Sequence, residues 1–247
     1  MGKSRVKPEA VKSGTVKHKT KVVERTHAVG HRKPDMSRAA LLVEFLLLFL
    51  GVPLGYRFSP RPIPALPVLW AAALYCYWQL RRDPTFSAEV LWNPGPARAQ
   101  LPSILACFVV AAAVVWAAVR LIAPELLFSF VRARPGFWAL VMVLYPVLSV
   151  YPQGIVYRAF LMHRYAPLLG KGLAPILVSA AAFAFMHIIF RNPLAMALTF
   201  AGGLLFAWRY SVTGSLFTSS LEHALYGCWL FTVGLGAYFY HGRIALK

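Results

Sequence analysis

Long apolar runs separated by short polar stretches make up the chain after about residue 38. Runs of roughly 18 to 25 apolar residues can cross a hydrocarbon core of ~30 Å as helices, and about seven such runs are present. They begin near Ala39, Pro62, Leu101, Gly136, Leu173, Leu194 and Ser215. The runs lack the short alternating pattern of barrel strands. We therefore predict an all-α fold, a polytopic helical membrane protein with about seven to eight transmembrane helices.

The stretch before the first apolar run is polar and basic. It holds much of the formal net charge of +18 that the 247 residues carry, and it has almost no periodic apolar face. We interpret residues 1–38 as a basic disordered tail and residues 39–247 as one polytopic transmembrane domain. A secretory signal peptide would place its apolar segment closer to the start, so the tail is not interpreted as one.

The charge of the tail also predicts its side of the membrane and its partners. Basic segments stay on the cytoplasmic side, so we expect a multi-pass integral membrane protein with a cytoplasmic N-terminus. The same charge suits anionic lipid headgroups in the bilayer. No aromatic side chain is interleaved with the basic ones for base stacking, so we expect no nucleic acid as a partner.

Ionisable side chains within the apolar runs are few, and each is a candidate for function. Placing Arg or Asp at membrane depth costs at least ~2.5 to 3.5 kcal/mol on insertion scales. The ionisable residues in question are Glu44, Arg158, His187, Glu222 and His223. Phe183 lies one helical turn before His187, where its ring can contact the imidazole.

Three short motifs follow one another in spans four, five and seven. They are QGIVYR at residues 153–158, FAFMH at residues 183–187 and HALYG at residues 223–227. Their order and spacing resemble the Glu-Glu-xxx-Arg, Phe-xxx-His and His-xxx-Asn or Asp motifs of the CAAX prenyl protease type 2 and bacteriocin-processing group of intramembrane endopeptidases, also called the CPBP or Abi family. The resemblance covers about residues 136–235 and implies a CAAX protease-like helical bundle.

The resemblance also implies roles for individual residues. In that family the first Glu and the Phe-xxx-His histidine are taken to activate a water that attacks the scissile carbonyl, and the later His and Asn to hold the oxyanion. The activating pair falls by position on Gln153 and His187. The family's Arg falls on Arg158. The oxyanion pair falls on His223 and Gly227.

Three positions depart from the family pattern, and each departure removes a chemical group. Gln153 is a neutral amide that can hydrogen-bond a water but cannot take its proton. Gly154 stands where the second Glu would neutralise Arg158 one helical turn away. Gly227 lacks the side-chain donor, a loss that elsewhere costs about 10² to 10³ in rate. In an active enzyme, either His187 would act as the base alone, or a carboxylate would come from elsewhere.

Two carboxylates in the apolar runs are candidates for that replacement. If spans four, five and seven pack together, Arg158, His187 and His223 could meet in one polar cavity. Glu222 is adjacent to His223 and could both reach this cavity and pair with Arg158. It lies about 100° around the helix from His223, so it reaches the cavity only if the helix presents the edge between them. Glu44, nearer a helix end, is the second candidate.

A metal is the less favoured alternative for the chemistry. Two histidines and a carboxylate could bind zinc through His187 and His223, and the family has been labelled metalloprotease. The sequence has no HExxH or comparable local pair, and Gln is a poor ligand. We therefore expect no cofactor.

The sequence thus favours one function and leaves another open. The favoured function is an intramembrane endopeptidase that hydrolyses a peptide bond in or near the bilayer, with a membrane-embedded or membrane-anchored peptide or protein as substrate. The alternative is a catalytically inactive relative that binds a membrane peptide, as a chaperone or immunity protein would. A small transporter would need a continuous polar path, and too few polar positions are available for one.

Overall fold

The computed structural model describes residues 1–2, 37–60 and 63–239. All the helical segments described here lie within Met36–Lys247. The predicted tail lies almost wholly outside the described residues, as does Pro62, where the second span was expected to begin. In chain order the long helical segments are α1 (Arg38–Arg57), α2 (Ala65–Arg82), α3 (Gly95–Ile122), α4 (Pro135–Arg164), α5 (Leu173–Phe190), α6 (Pro193–Thr213) and α7 (Leu216–Val233).

The architecture confirms the predicted all-α class of integral membrane protein. The described residues contain no strand. In the described part of the chain, four segments are long and apolar enough to cross a membrane. They are α1, α4, α5 and the stretch Ala88–Ile122, which contains α3. Along α3 the outward side chains Val109, Val110 and Val114 are exposed, as expected for a surface that faces lipid. The predicted number of about seven to eight transmembrane helices stays a prediction.

Helix α4 widens into π-helical turns before the first motif and again within it. The wide turns are Pro146–Val150 and Ile155–Phe160. Pro146 and Pro152 have no backbone N–H to donate, and their rings crowd the preceding turn, which widens a helix rather than ending it. Each wide turn accommodates an extra residue and changes the face on which the following side chains lie.

Glu44, one of the two carboxylate candidates, joins α1 to the end of α4. Its oxygens accept hydrogen bonds from Arg164 Nε at 3.1 Å and Nη2 at 2.9 Å. The hydroxyl of Tyr165 donates to the same carboxylate at 3.0 Å. Phe45 and Phe49 pack around this point against the Tyr165 ring. Glu44 is therefore a structural partner of Arg164 and does not supply the missing acid.

Glu222, the other carboxylate candidate, holds α6 and α7 together. Its two oxygens accept from Arg209 Nε at 2.8 Å and Nη2 at 3.0 Å, and both side chains are fully buried. Arg209 Nη1 also donates to Gln100 at 2.5 Å and Ser103 at 2.9 Å on α3. The expectation that Glu222 pairs with Arg158 is wrong, because a closer arginine on the neighbouring helix takes both carboxylate oxygens.

Helices α5 and α6 approach each other at Gly203. A Cβ at this position would lie 3.0 Å from Ala180 Cα and 3.2 Å from Phe183 Cδ1. Small residues at such a crossing let helix backbones come close in a membrane, where van der Waals packing drives association. The contact fixes the position of the Phe183 ring.

Replacing Glu222 by Gln should lower stability strongly. The amide keeps the shape of the carboxylate but leaves the buried Arg209 cation without a counter-charge, a loss of about 3 to 5 kcal/mol. Thermal unfolding of the purified chain in detergent measures the effect. Glu44→Gln is the matched control, since its ion pair is partly exposed and should cost less. Equal shifts for the two variants would contradict this account.

Candidate active site

One large cavity opens between the helices, with a volume of about 980 Å³. Most of its wall is apolar. Gln153 reaches it from α4, His187 from α5 and His223 from α7, so the structure brings these three predicted residues together. Within the described residues, its lining contains no Asp, Glu, Lys or Arg. The remaining polar lining residues are Tyr56, Tyr145, Ser149, Thr199 and Tyr226.

His187 is oriented by the backbone of its own helix. Its Nδ1 lies 2.7 Å from the carbonyl oxygen of Phe183. A carbonyl oxygen only accepts, so Nδ1 carries the proton and the neutral ring keeps its lone pair on Nε2. The Phe183 ring contacts the imidazole edge to face, with centroids 4.9 Å apart. The arrangement fixes both the tautomer and the direction of a potential base.

His223 packs against the aromatic rings of Phe206 and Phe183. It stacks on Phe206 at a centroid distance of 4.5 Å and an interplanar angle of 23°. Phe183 contacts it edge-on at 5.5 Å. Its Nε2 lies 3.4 Å from the hydroxyl of Tyr145. Phe183 therefore touches both histidines and sets their relative position.

Gln153 is oriented by a side chain one turn earlier. Its Nε2 donates to the Ser149 hydroxyl oxygen at 2.9 Å. An amide uses its nitrogen to donate and its oxygen to accept, so the Ser149 contact distinguishes the two ends of the group. Gln153 can position a water in the cavity but adds no base to it.

Tyr145 occupies the space that a side chain at position 227 would fill. A Cβ built on Gly227 would meet the Tyr145 hydroxyl oxygen and lie 2.6 Å from its Cζ. The glycine and the tyrosine are therefore spatially linked. Tyr145 also approaches His223, so its hydroxyl lies where the family resemblance places an Asn or Asp donor.

Arg158 packs against the aromatic rings rather than lining the cavity. Its side chain is 1% exposed, and its Cζ lies 5.0 Å from the centroid of Phe183 and 5.2 Å from that of Phe206. Such positions are favourable for a cation. Arg158 is absent from the cavity lining given by the described residues. The expectation that it meets both histidines in one polar cavity is therefore corrected, because Arg158 packs against the two rings and does not line the cavity.

The match to a known family covers this part of the molecule. Residues 134–229 match the family model described as Type II CAAX prenyl endopeptidase Rce1-like. The match agrees with the family resemblance that the motifs indicated. The matched segment contains Gln153, Arg158, His187 and His223, and its bounds agree with the predicted 136–235. No curated protein and no solved structure gives a significant match to the chain.

The match to the family model supports a general type of activity. The Rce1-like family is a protease family, which supports a CAAX-type intramembrane peptidase and an integral membrane location. Next to each of the three residues that depart from the family pattern lies a side chain of a neighbouring residue. Ser149 binds Gln153, and Tyr145 fills the space beside Gly227. At Gly154 a Cβ would lie 2.9 Å from Leu216 Cδ1.

The donor set of the Rce1-like site does not fit a metal ion. Catalytic zinc sites use three protein ligands. Among the described residues no group of three or more His, Cys, Asp or Glu side chains lies close enough to hold one. His187 Nδ1 is engaged by the Phe183 carbonyl, which leaves one nitrogen of that ring as a donor.

Sequence reasoning missed three residues of the site. Tyr145 and Ser149 precede Gln153 by eight and four residues, a helical spacing that could have been noticed. Phe206 stacks on His223 from a different helix, and no sequence pattern connects the two. Of the residues predicted, Glu44 and Glu222 are both engaged in ion pairs between helices, and Arg158 does not line the cavity.

Replacing Gly227 by Asn, the residue of the family pattern, should destabilise this chain. The new Cβ would clash with Tyr145, and overpacking of this kind costs about 1 to 3 kcal/mol. Combining it with Tyr145→Ala should recover at least about 1 kcal/mol relative to the sum of the single effects. Thermal unfolding of the four proteins in detergent measures this coupling.

Gly136→Asn is the control, because nothing lies within 4 Å of a Cβ at Gly136. It should show no coupling with Tyr145→Ala. Strictly additive effects at Gly227 and Tyr145 would contradict the exchange of volume between them.

Proposed function

We propose that the chain is an intramembrane endopeptidase in which the neutral imidazole of His187 is the general base. The substrate is a peptide bond of a membrane-embedded or membrane-anchored protein that enters the cavity. Gln153 positions the attacking water. His223 and Tyr145 support the oxyanion.

One observation carries the proposal. Nδ1 of His187 donates to the Phe183 carbonyl at 2.7 Å, so Nε2 keeps its lone pair in a cavity that also contains an amide and a second imidazole. A histidine held in one tautomer is ready to take a proton without first reorganising. The largely apolar wall strengthens electrostatic interactions with a developing charge.

The steps follow from these positions. His187 Nε2 removes a proton from the water while the water oxygen forms a bond to the carbonyl carbon. The carbonyl oxygen becomes an oxyanion, to which the Tyr145 hydroxyl donates from its position beside His223 Nε2. The C–N bond then breaks, and His187 returns its proton to the leaving nitrogen. The products are a carboxylic acid and an amine.

The second candidate is a membrane peptide-binding protein that uses the same cavity. It is favoured by the absence of any carboxylate from the lining given by the described residues. A binder needs the apolar volume and a few polar contacts but no base. The two candidates differ in whether the chain generates new peptide termini.

His187→Ala should abolish cleavage while the chain stays folded. Mass spectrometry of new peptide termini in membranes that express the chain, compared at equal abundance with membranes that express the variant, measures this. His163→Ala is the matched control, because His163 contacts Asp83 at 3.1 Å and does not line the cavity. Termini that vanish only with His187 support the peptidase. Identical termini for all three proteins favour the binder.

Gln153→Glu should raise cleavage, because it places a carboxylate beside His187 in the cavity. A positioned general base contributes about 10² to 10⁴ in rate, and part of this range should be regained over the parent chain. Gln79→Glu makes the same chemical change outside the cavity, where Gln79 contacts Tyr75, and should have no effect. An increase shared by both variants, or none with Gln153→Glu, would count against a peptidase that lacks only its acid.

A further inference from the structure

Four buried side-chain atoms have no hydrogen-bond partner among the described residues, and their residues cluster on one side of the aromatic pair. They are Arg158 Nη1, Arg158 Nη2, Ser220 Oγ and His223 Nδ1. Arg158 and His223 both contact Phe183 and Phe206. Ser220 lies one turn before His223 on α7. These unpaired atoms therefore belong to one place rather than being scattered through the fold.

We propose that Arg158, Ser220 and His223 bind one small monovalent anion, such as chloride. Two guanidinium N–H groups and a hydroxyl are all donors, so the cluster offers hydrogen bonds that an anion accepts. Arginine is always charged in proteins, and a buried charge without a partner is strongly unfavourable. The rings of Phe183 and Phe206 offset part of this cost but accept no N–H bond in the guanidinium plane.

The size of the occupant follows from the space at Gly154. A Cβ at that position would lie 2.9 Å from Leu216 Cδ1 and 3.1 Å from Ser220 Oγ. Little volume is therefore available between Gly154 and Ser220 Oγ, and the single positive charge of Arg158 is to be balanced. A monatomic halide satisfies both conditions, whereas phosphate and sulfate are larger and carry more charge.

The anion is a free ion rather than part of a substrate. Arg158 is 1% exposed and does not line the cavity, so the carboxylate of a peptide in that cavity does not contact it. A water molecule would satisfy the hydrogen bonds but would leave the charge uncompensated.

The site connects to the cavity through His223. In the neutral ring a proton on Nδ1 donates to the anion, and Nε2 is then the acceptor that faces the Tyr145 hydroxyl. The anion thereby holds the ring in the orientation that the aromatic stack already favours. Binding itself does not depend on peptide hydrolysis, so it can be tested whether or not the chain cleaves a substrate.

Thermal unfolding of the full chain in detergent tests the proposal. The protein is compared in sodium chloride, sodium bromide and sodium gluconate at equal ionic strength. The two halides should raise Tm by roughly 2 to 6 °C over gluconate, since a ligand that binds only the folded state stabilises it. An equal Tm in all three salts would overturn the proposal and leave water as the partner.

Variants at Gly154 show whether the effect arises at this site. Gly154→Glu supplies an internal carboxylate one turn from Arg158, so its Tm should no longer respond to halide. Gly154→Gln is the matched neutral control. It should also lose the response, but its Tm in gluconate should lie below that of Gly154→Glu. A halide response that persists unchanged in Gly154→Glu would place the effect elsewhere, for example at the basic tail.

Ser220→Ala is a milder variant, suited to the case in which the substitutions at Gly154 prevent folding. It removes one donor without adding volume, and the halide concentration for half of the Tm rise should increase by roughly tenfold. Ser103→Ala is its control, because Ser103 contacts Arg209 instead of Arg158. The same halide dependence in Ser220→Ala and in the parent chain would contradict the assignment of Ser220.

Discussion

The buried cation of Arg158, set against the rings of Phe183 and Phe206, is the constraint on which the site depends. A charge at this depth must be stabilised by what surrounds it. The two rings do so, and they also contact the imidazoles of His187 and His223. The same aromatic pair thus packs against both the buried cation and the two histidines that line the cavity. A change in either ring would therefore affect the cation and the cavity together.

Two carboxylate–arginine pairs join the long helical segments to one another. Glu44 and Glu222 are the carboxylates of these seven segments, and each is paired with an arginine on another helix. The fully buried pair of Glu222 and Arg209 joins α6 to α7 and, through Arg209, to α3. Because these acids are already neutralised, they leave the cavity without a carboxylate. A reaction in this cavity has to rely on imidazole, amide and hydroxyl groups.

The departures from the Rce1-like pattern are accompanied by changes in the groups around them. Tyr145 fills the space beside Gly227, and Leu216 with Ser220 closes the space beside Gly154. Ser149 accepts a hydrogen bond from Gln153. Because the interior is close-packed, a lost side chain leaves volume that a neighbour must fill. The substitutions are thus better understood as a repacked site than as isolated losses.

The sequence by itself determined the helical membrane class, the Rce1-like segment and the residues Gln153, His187 and His223, because hydropathy and motif order are properties of the linear chain. It left open which arginine would take Glu222. Arg158 and Arg209 are both plausible partners in one dimension, and only the crossing of α6 and α7 brings Arg209 within 2.8 Å of the carboxylate. Tertiary structure also decided that Arg158 packs against rings without lining the cavity and that Tyr145 occupies the space beside Gly227. Contacts between distant helices depend on packing in three dimensions, which the spacing of residues along one helix does not specify.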